Sequence, residues 1–84
     1  MRKVKLTITE SACRDGWCKK GDAFVVEGIC PPICHELWSV IYPQVFALLN
    51  GADLDHGDGR ARMFDASCPD GGRVCIHGEI VEEA

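Results

Sequence analysis

The residues best suited to chemistry in this 84-residue chain are six cysteines, which fall into three pairs. Four, three and six residues separate the members of the successive pairs, which are Cys13 and Cys18, Cys30 and Cys34, and Cys68 and Cys75. Closely spaced cysteines suit a tetrahedral zinc or iron site, because the first ligand fixes the position of the second. Spacings of four and three reach only the wide end of the usual range. Metal ligation, thiol redox chemistry and buried structural cysteine therefore remain open alternatives.

Local sequence distinguishes these cysteines from one another. Cys13 and Cys18 lie in a loop with Gly16, where backbone freedom allows both sulfurs to face one ion. Cys75 falls in a regular alternating strand, where we expect an ordinary half-buried residue. The first pair is therefore the better candidate for metal ligation.

Cys30 and Cys34 flank a predicted helix start, where unpaired backbone amides stabilise a thiolate. Cys34 is thus a candidate metal ligand and equally a candidate nucleophile, with Cys30 or Cys68 as its resolving cysteine. His35 projects about 100° further around the helix, so it is poorly placed to act as the base. The alternative for Cys34 is a small apolar residue packed against Trp38.

The remaining polar candidates are weaker. His56 lies in an Asp- and Gly-rich loop and His77 on the polar face of a strand, where lone histidines are usually solvated. Neither a nucleotide-binding loop nor a hydrolase elbow nor a zinc-protease motif occurs in the sequence. The sequence therefore leaves open whether the protein is an enzyme.

Composition narrows the compartment and the class of partner. Residues 3–9 alternate polar and apolar side chains, unlike a secretory signal, and no window approaches the about 18 apolar residues of a membrane span. We therefore expect a cytoplasmic protein without membrane association, and a reducing cytosol disfavours three disulfides. Nine basic and thirteen acidic residues give a net charge of −4, which argues against nucleic acid as the partner.

Chain length bounds the fold. We expect one domain spanning residues 1–84. A domain of this size buries only about 60–65% of the surface of its unfolded chain, so a metal, a disulfide or a partner subunit would add needed stability. A homo-oligomer or a protein partner is therefore compatible with the sequence.

Periodicity predicts the elements that position the cysteines. Residues 3–9 and 23–27 read as strands, and residues 73–81 alternate again after the turn Pro69–Gly72, which predicts a final hairpin. Residues 52–65 are turn-rich and predict a loop with a short strand near Met63.

A helix is predicted to begin near Pro32 and to end at Asn50-Gly51. Pro43 either kinks this helix or divides it into two. The order predicts an α+β fold, a small antiparallel sheet with the central helical segment packed on one face.

Residues 34–48, CHELWSVIYPQVFAL, are followed by Gly51 and by CPDG at residues 68–71, and residues 21–28 read GDAFVVEG. With these segments the chain resembles a family of small uncharacterised cysteine-containing proteins of anaerobic bacteria and archaea. The resemblance covers nearly the whole chain. It implies a shared cysteine site but no activity.

The resemblance assigns the family's cysteines to particular positions. The helix-start cysteine falls on Cys34 and the late one on Cys68, while Cys13 and Cys18 occupy about the places of an earlier pair in which one member is Cys or His. Such an exchange is tolerated by metal ligation and not by a disulfide. The resemblance therefore implies a metal site of zinc or iron held by Cys13, Cys18, Cys34 and Cys68.

Three functional hypotheses follow. The leading one is a small metal-binding protein with a structural or accessory role. The second is thiol redox or nucleophilic chemistry at Cys34. The third is a binding module in which Trp17, Trp38 and Tyr42 line a cleft for a small ligand or a second subunit, with incidental cysteines.

Overall fold

The computed structural model describes residues 2–12, 19–56, 59–69 and 71–82, with the backbone alone for residues 55, 56 and 82. Its elements in chain order are β1 Lys3–Ser11, β2 Ala23–Val26, α1 His35–Leu49, β3 Leu54–His56, β4 Gly59–Ala61, β5 Met63–Ser67 and β6 Val74–Glu82. Four strands form an antiparallel sheet in the order β2-β1-β6-β5, and β3 pairs with β4 separately. The predicted α+β class is confirmed. No helix in the described part of the chain is long and apolar enough to cross a membrane.

The two-residue period of β1 determines which face of the sheet is covered. Val4, Leu6 and Ile8 are at most 1% exposed, whereas the alternate residues Lys5 and Thr9 are exposed. Successive strand side chains point to opposite faces, so one apolar face results. This face packs against the helix.

The four buried helix residues are spaced by four, four and three positions, which places them on one side of α1. They are Leu37, Ile41, Val45 and Leu48. They share a core with the buried residues of the sheet, which confirms the prediction that the helix covers its apolar face.

The prediction that the helix begins near Pro32 is wrong by three residues. The Ile33 N–H donates to the Pro31 carbonyl at 2.8 Å, so this segment forms its own tight turn. Cys34 then has extended torsion angles, φ −55° and ψ 136°, and the helix begins at His35. The two prolines therefore precede the helix instead of occupying its first turn.

Pro43 lies inside a single helix, so the alternative of two helices is wrong. Pro43 has no backbone N–H, so the Ser39 carbonyl loses its helical hydrogen bond. Ser39 and Pro43 are both exposed, so this carbonyl lies on the solvent side of the helix. Ile41 and Val45, on either side of the proline, are fully buried and hold both halves of the helix against the sheet.

The predicted loop over residues 52–65 is largely wrong, since it contains β3, β4 and the start of β5. Arg62 Nε donates to Asp53 Oδ1 at 3.0 Å, and Arg60 Nη2 donates to the Asp53 carbonyl at 3.2 Å. These bonds connect the two sides of the small ladder. The short strand near Met63 is confirmed.

The predicted final hairpin is also confirmed. Phe64 pairs with Gly78 and Ala66 with Ile76, and Gly71 and Gly72 adopt the positive φ angles, 104° and 81°, that the turn requires. The hairpin therefore places Cys68 and Cys75 on either side of one turn.

Substituting Gly78→Ala should destabilise the fold, because the added methyl would overlap the Phe64 ring and approach Leu6 Cδ2 to 3.1 Å. We expect a loss of about 1–3 kcal/mol in the free energy of unfolding, measured by urea denaturation. Gly59→Ala is the matched control, since its new Cβ meets no atom within 4 Å. Equal stability of the two variants would contradict the close packing of Phe64 on Gly78.

Candidate cysteine site at one end of the sheet

The connection that carries Cys13 and Cys18 leaves the sheet beside the turn that contains Cys68. Ser11, at the end of β1, pairs with Val74, and the Val74 carbonyl accepts the Cys68 N–H at 2.8 Å. The Ala12 N–H donates to the Arg73 carbonyl at 2.7 Å. Because neighbouring strands lie about 4.8 Å apart, the backbones of Ser11 and Cys68 are separated by roughly 10 Å.

The length of α1 separates Cys34 from the start of β1. Arg2, which precedes β1, donates from Nη1 to the Leu49 carbonyl at 3.3 Å, so the helix C-terminus lies at the start of β1. A helix of 15 residues is about 22 Å long, so Cys34 at its N-terminus lies far from the helix C-terminus and from the start of β1.

Cys34 is the N-cap residue of α1, whereas a helix that begins near Pro32 would place it within the first turn. It is half-buried, and its side chain makes no capping hydrogen bond. Its Sγ donates to Glu36 Oε1 at 3.9 Å, and its carbonyl accepts the Trp38 N–H at 2.9 Å. The thiol therefore lies at the helix entrance, next to a carboxylate.

Cys68 belongs to the buried core, with 6% of its surface exposed. Its carbonyl accepts the Gly72 N–H at 3.0 Å, which closes the turn before β6. A ligand at this position would thus be held by a rigid, hydrogen-bonded turn.

The other two predicted ligands, Cys13 and Cys18, lie outside the described residues, as does Trp17. Within residues 2–12, 19–56, 59–69 and 71–82, no three Cys, His, Asp or Glu side chains form a metal-binding group. A tetrahedral site that includes Cys34 and Cys68 therefore needs ligands from outside these ranges.

The remaining described cysteines differ from Cys34 and Cys68 in exposure or in the face that they occupy. Cys30 is exposed, and Cys75 is half-buried on β6, as the sequence predicts. All four described cysteines are thiols, with no disulfide among them. His35 is exposed on α1, and the side chain of His56 lies outside the described part of the structure.

A paired histidine on the uncovered face of the sheet escapes sequence reasoning, which treats His77 as solvated. His77 Nδ1 lies 2.8 Å from Asp65 Oδ1, across the β5–β6 pair, and Cys75 lies on the same face two residues earlier. A carboxylate accepts a hydrogen bond from Nδ1, which leaves Nε2 as the acceptor nitrogen. The hairpin register, centred on the predicted turn, was the signal that could have revealed this pair.

An apolar groove of about 290 Å³ runs between α1 and the segment that follows β2. Trp38, Tyr42 and Phe46 form a row along its helical side, with ring centroids 5.5 and 6.0 Å apart in succession. Ile29 and Cys30 line the opposite side. The third hypothesis names Trp17, Trp38 and Tyr42 as the lining of a cleft. Of these, Trp38 and Tyr42 belong to the described residues, and both line this groove.

Compared with family models, with curated proteins and with solved structures, the chain matches none of them. The family resemblance therefore stays a prediction, and the site is argued from the chain's own geometry.

Cysteine burial predicts the order of alkylation in reduced, metal-free protein. Among the four described cysteines, we expect iodoacetamide to label Cys30 first and Cys68 last, about tenfold or more apart in rate, because Cys68 must wait for local opening. Peptide mapping by mass spectrometry measures each rate, and labelling in denaturant provides the control in which the difference disappears. Equal rates in the native protein would contradict the burial of Cys68.

Substituting Asp65→Ala should change the tautomer of His77, since the acceptor that holds the proton on Nδ1 is removed. Imidazole ¹⁵N chemical shifts at a pH where the ring is neutral should move toward the Nε2–H form. Asp53→Ala is the control, because Asp53 bonds to Arg62. An unchanged His77 tautomer in Asp65→Ala would show that Asp65 does not orient the ring.

Proposed function

We propose that this chain is a small protein that binds zinc or iron through the thiolates of Cys13, Cys18, Cys34 and Cys68, and that the metal has a structural or accessory role. One observation carries the proposal. The 2.7 Å bond from the Ala12 N–H to the Arg73 carbonyl starts the Cys13–Cys18 connection beside the Cys68 turn.

Both ends of that connection are anchored to the same part of the sheet. Cys13 directly follows Ala12, and Cys18 directly precedes Lys19, whose N–H donates to Asp22 Oδ2 at 3.1 Å. Asp22 accepts the Ile8 N–H at its carbonyl, which ties it to β1 near the strand end. The described residues on either side of the two cysteines, Ala12 and Lys19, therefore both lie near this end of the sheet.

Helix geometry supports Cys34 as the ligand from the third segment. Backbone amides at a helix N-terminus and the positive end of the helix dipole favour an anionic group, and a metal-bound thiolate is one. Four thiolates would fill the tetrahedron and leave no position for substrate, which is the pattern of structural sites. The proposed role is therefore structural.

The core explains why such a site would benefit this protein. Twelve side chains of the described part are buried, and one helix covers the sheet. A metal held by the β1–β2 connection, the helix start and the late turn would join three separate segments. Its binding free energy would add directly to the free energy of unfolding.

The redox hypothesis receives less support from the geometry. Among the described residues, Glu36 is the side chain that hydrogen-bonds to Cys34 Sγ, and no histidine does so. A Cys-His nucleophilic pair at this position therefore has no described base.

We propose the resemblance to the family of small cysteine-containing proteins alongside the metal site, as further support for a shared set of cysteines.

Protein purified under anaerobic conditions should contain about one zinc or iron per chain, and a chelator should lower its Tm. Metal at 100 times its Kd adds about 2.7 kcal/mol, which corresponds to roughly 10–20 °C in a domain of this size. Elemental analysis and thermal melting measure the two effects. Metal-free protein that is as stable as metal-loaded protein would contradict the proposal.

Matched cysteine variants separate ligation from packing. Cys34→Ser and Cys68→Ser should lose the metal, whereas Cys30→Ser and Cys75→Ser should retain it. Because Cys68 is buried, its variant is compared with the metal-free wild type, which it should resemble in stability to within about 1–2 kcal/mol. Equal metal loss in all four variants would refute this ligand set.

A further inference from the structure

The edge strand β2 presents an outer side that no strand of the described part of the chain covers. The Ile8 N–H donates to the Asp22 carbonyl at 2.8 Å, and Phe24 and Val26 pair with Leu6 and Val4. Hydrogen-bonding direction alternates along an antiparallel strand. The backbone groups of residues 23 and 25 therefore point away from β1, toward the open edge.

Exposed apolar side chains gather at this same edge. Five large hydrophobic residues are prominently exposed in the described part of the chain, and four of them surround β2 and the adjacent groove. These four are Val25 at 58%, Ile29 at 84%, Tyr42 at 47% and Phe46 at 56%. The fifth, Val81 at 49%, lies on β6.

The size of this patch is that of an interface. A large side chain such as Phe or Tyr contributes about 150–250 Å², so four residues at these exposures leave on the order of 400–500 Å² uncovered. This area, which is divided between the two faces of the edge, is comparable with the largest apolar patch of a typical monomer, and such patches are often functional. Together with the polar surface around it, the exposed area of this patch approaches the roughly 800 Å² that each partner contributes to a standard interface.

The edge strand also carries no lysine, proline or internal bulge. Protected edges carry lysine, proline or a bulge, whereas β2 reads Ala-Phe-Val-Val and pairs with β1 in continuous register. Backbone hydrogen-bonding groups and apolar side chains are thus available at the same edge for pairing with another strand.

We propose that two copies of the chain pair antiparallel through β2 about a two-fold axis, with Val25 of one copy opposite Val25 of the other. The two sheets then form one continuous sheet of eight strands. The Val25 side chains meet on one face, and on the other face the Tyr42 and Phe46 rings of the two copies flank the seam. Both parts of the exposed patch are covered by this single arrangement.

Charge favours a second copy over an unrelated peptide. Lys19, Lys20 and Asp22 precede β2 with a net charge of +1, and Glu27 follows it. Within one chain, Lys20 lies 3.1 Å from Glu10 and Glu27 lies 4.0 Å from Lys3. Antiparallel pairing places the acidic end of each strand beside the basic end of the other. The edge is therefore complementary to itself, as a two-fold interface requires.

Sedimentation equilibrium from low to high micromolar concentration tests the proposal, which is independent of the metal site. We expect a monomer–dimer equilibrium for the wild type. Val25→Lys should weaken the dimer at least about tenfold, because charges facing each other across the seam repel. Val81→Lys introduces the same charge at a residue of similar exposure and should leave the dimer unchanged.

Two results would overturn the proposal. One is a wild-type protein that stays monomeric at every concentration. Such a monomer would overturn the proposal even if its groove binds the dye anilinonaphthalene sulfonate. The other is a dimer that Val25→Lys and Val81→Lys affect equally. Circular dichroism verifies that both variants retain the wild-type fold, and Phe46→Ser provides a second variant of the seam, with weaker dimerisation expected.

Discussion

The pairing of β1 with β6 is the interaction on which the other features depend. It runs from Lys3 to Ser11 and places Val4, Leu6 and Ile8 on the face that the helix covers. A slip of one residue would turn these side chains to the opposite face and would remove the core. The same register sets Ser11 beside Val74, and so brings the β1–β2 connection to the Cys68 turn.

Small size explains why two parts of this protein are proposed to bind something further. In the described part of the chain, one helix on a four-stranded sheet buries a thin core, and domains of this size have little stability to spare. A metal would add stability at the end of the sheet where β1 finishes, and a second copy would add it along the edge strand β2. The two sites involve different residues, so either proposal can stand without the other.

Sequence patterns predict the elements whose periodicity is strong. The alternation of β1 and the spacing from Leu37 to Leu48 predict the covered face and the helix. The β3–β4 ladder is local, and Arg60 and Arg62 bond to Asp53 across it, but its polar, turn-rich composition has no period that reveals a strand. The His77–Asp65 pair depends on hairpin register, and Pro43 stays helical because Ile41 and Val45 are buried on either side of it.

The central claim is a metal held by four sulfurs drawn from three segments. X-ray absorption at the metal edge of protein purified under anaerobic conditions tests it most directly. We expect four sulfur neighbours at about 2.3 Å and no nitrogen or oxygen ligand for zinc. A first coordination shell of nitrogen and oxygen, or protein that contains no metal at all, would contradict it.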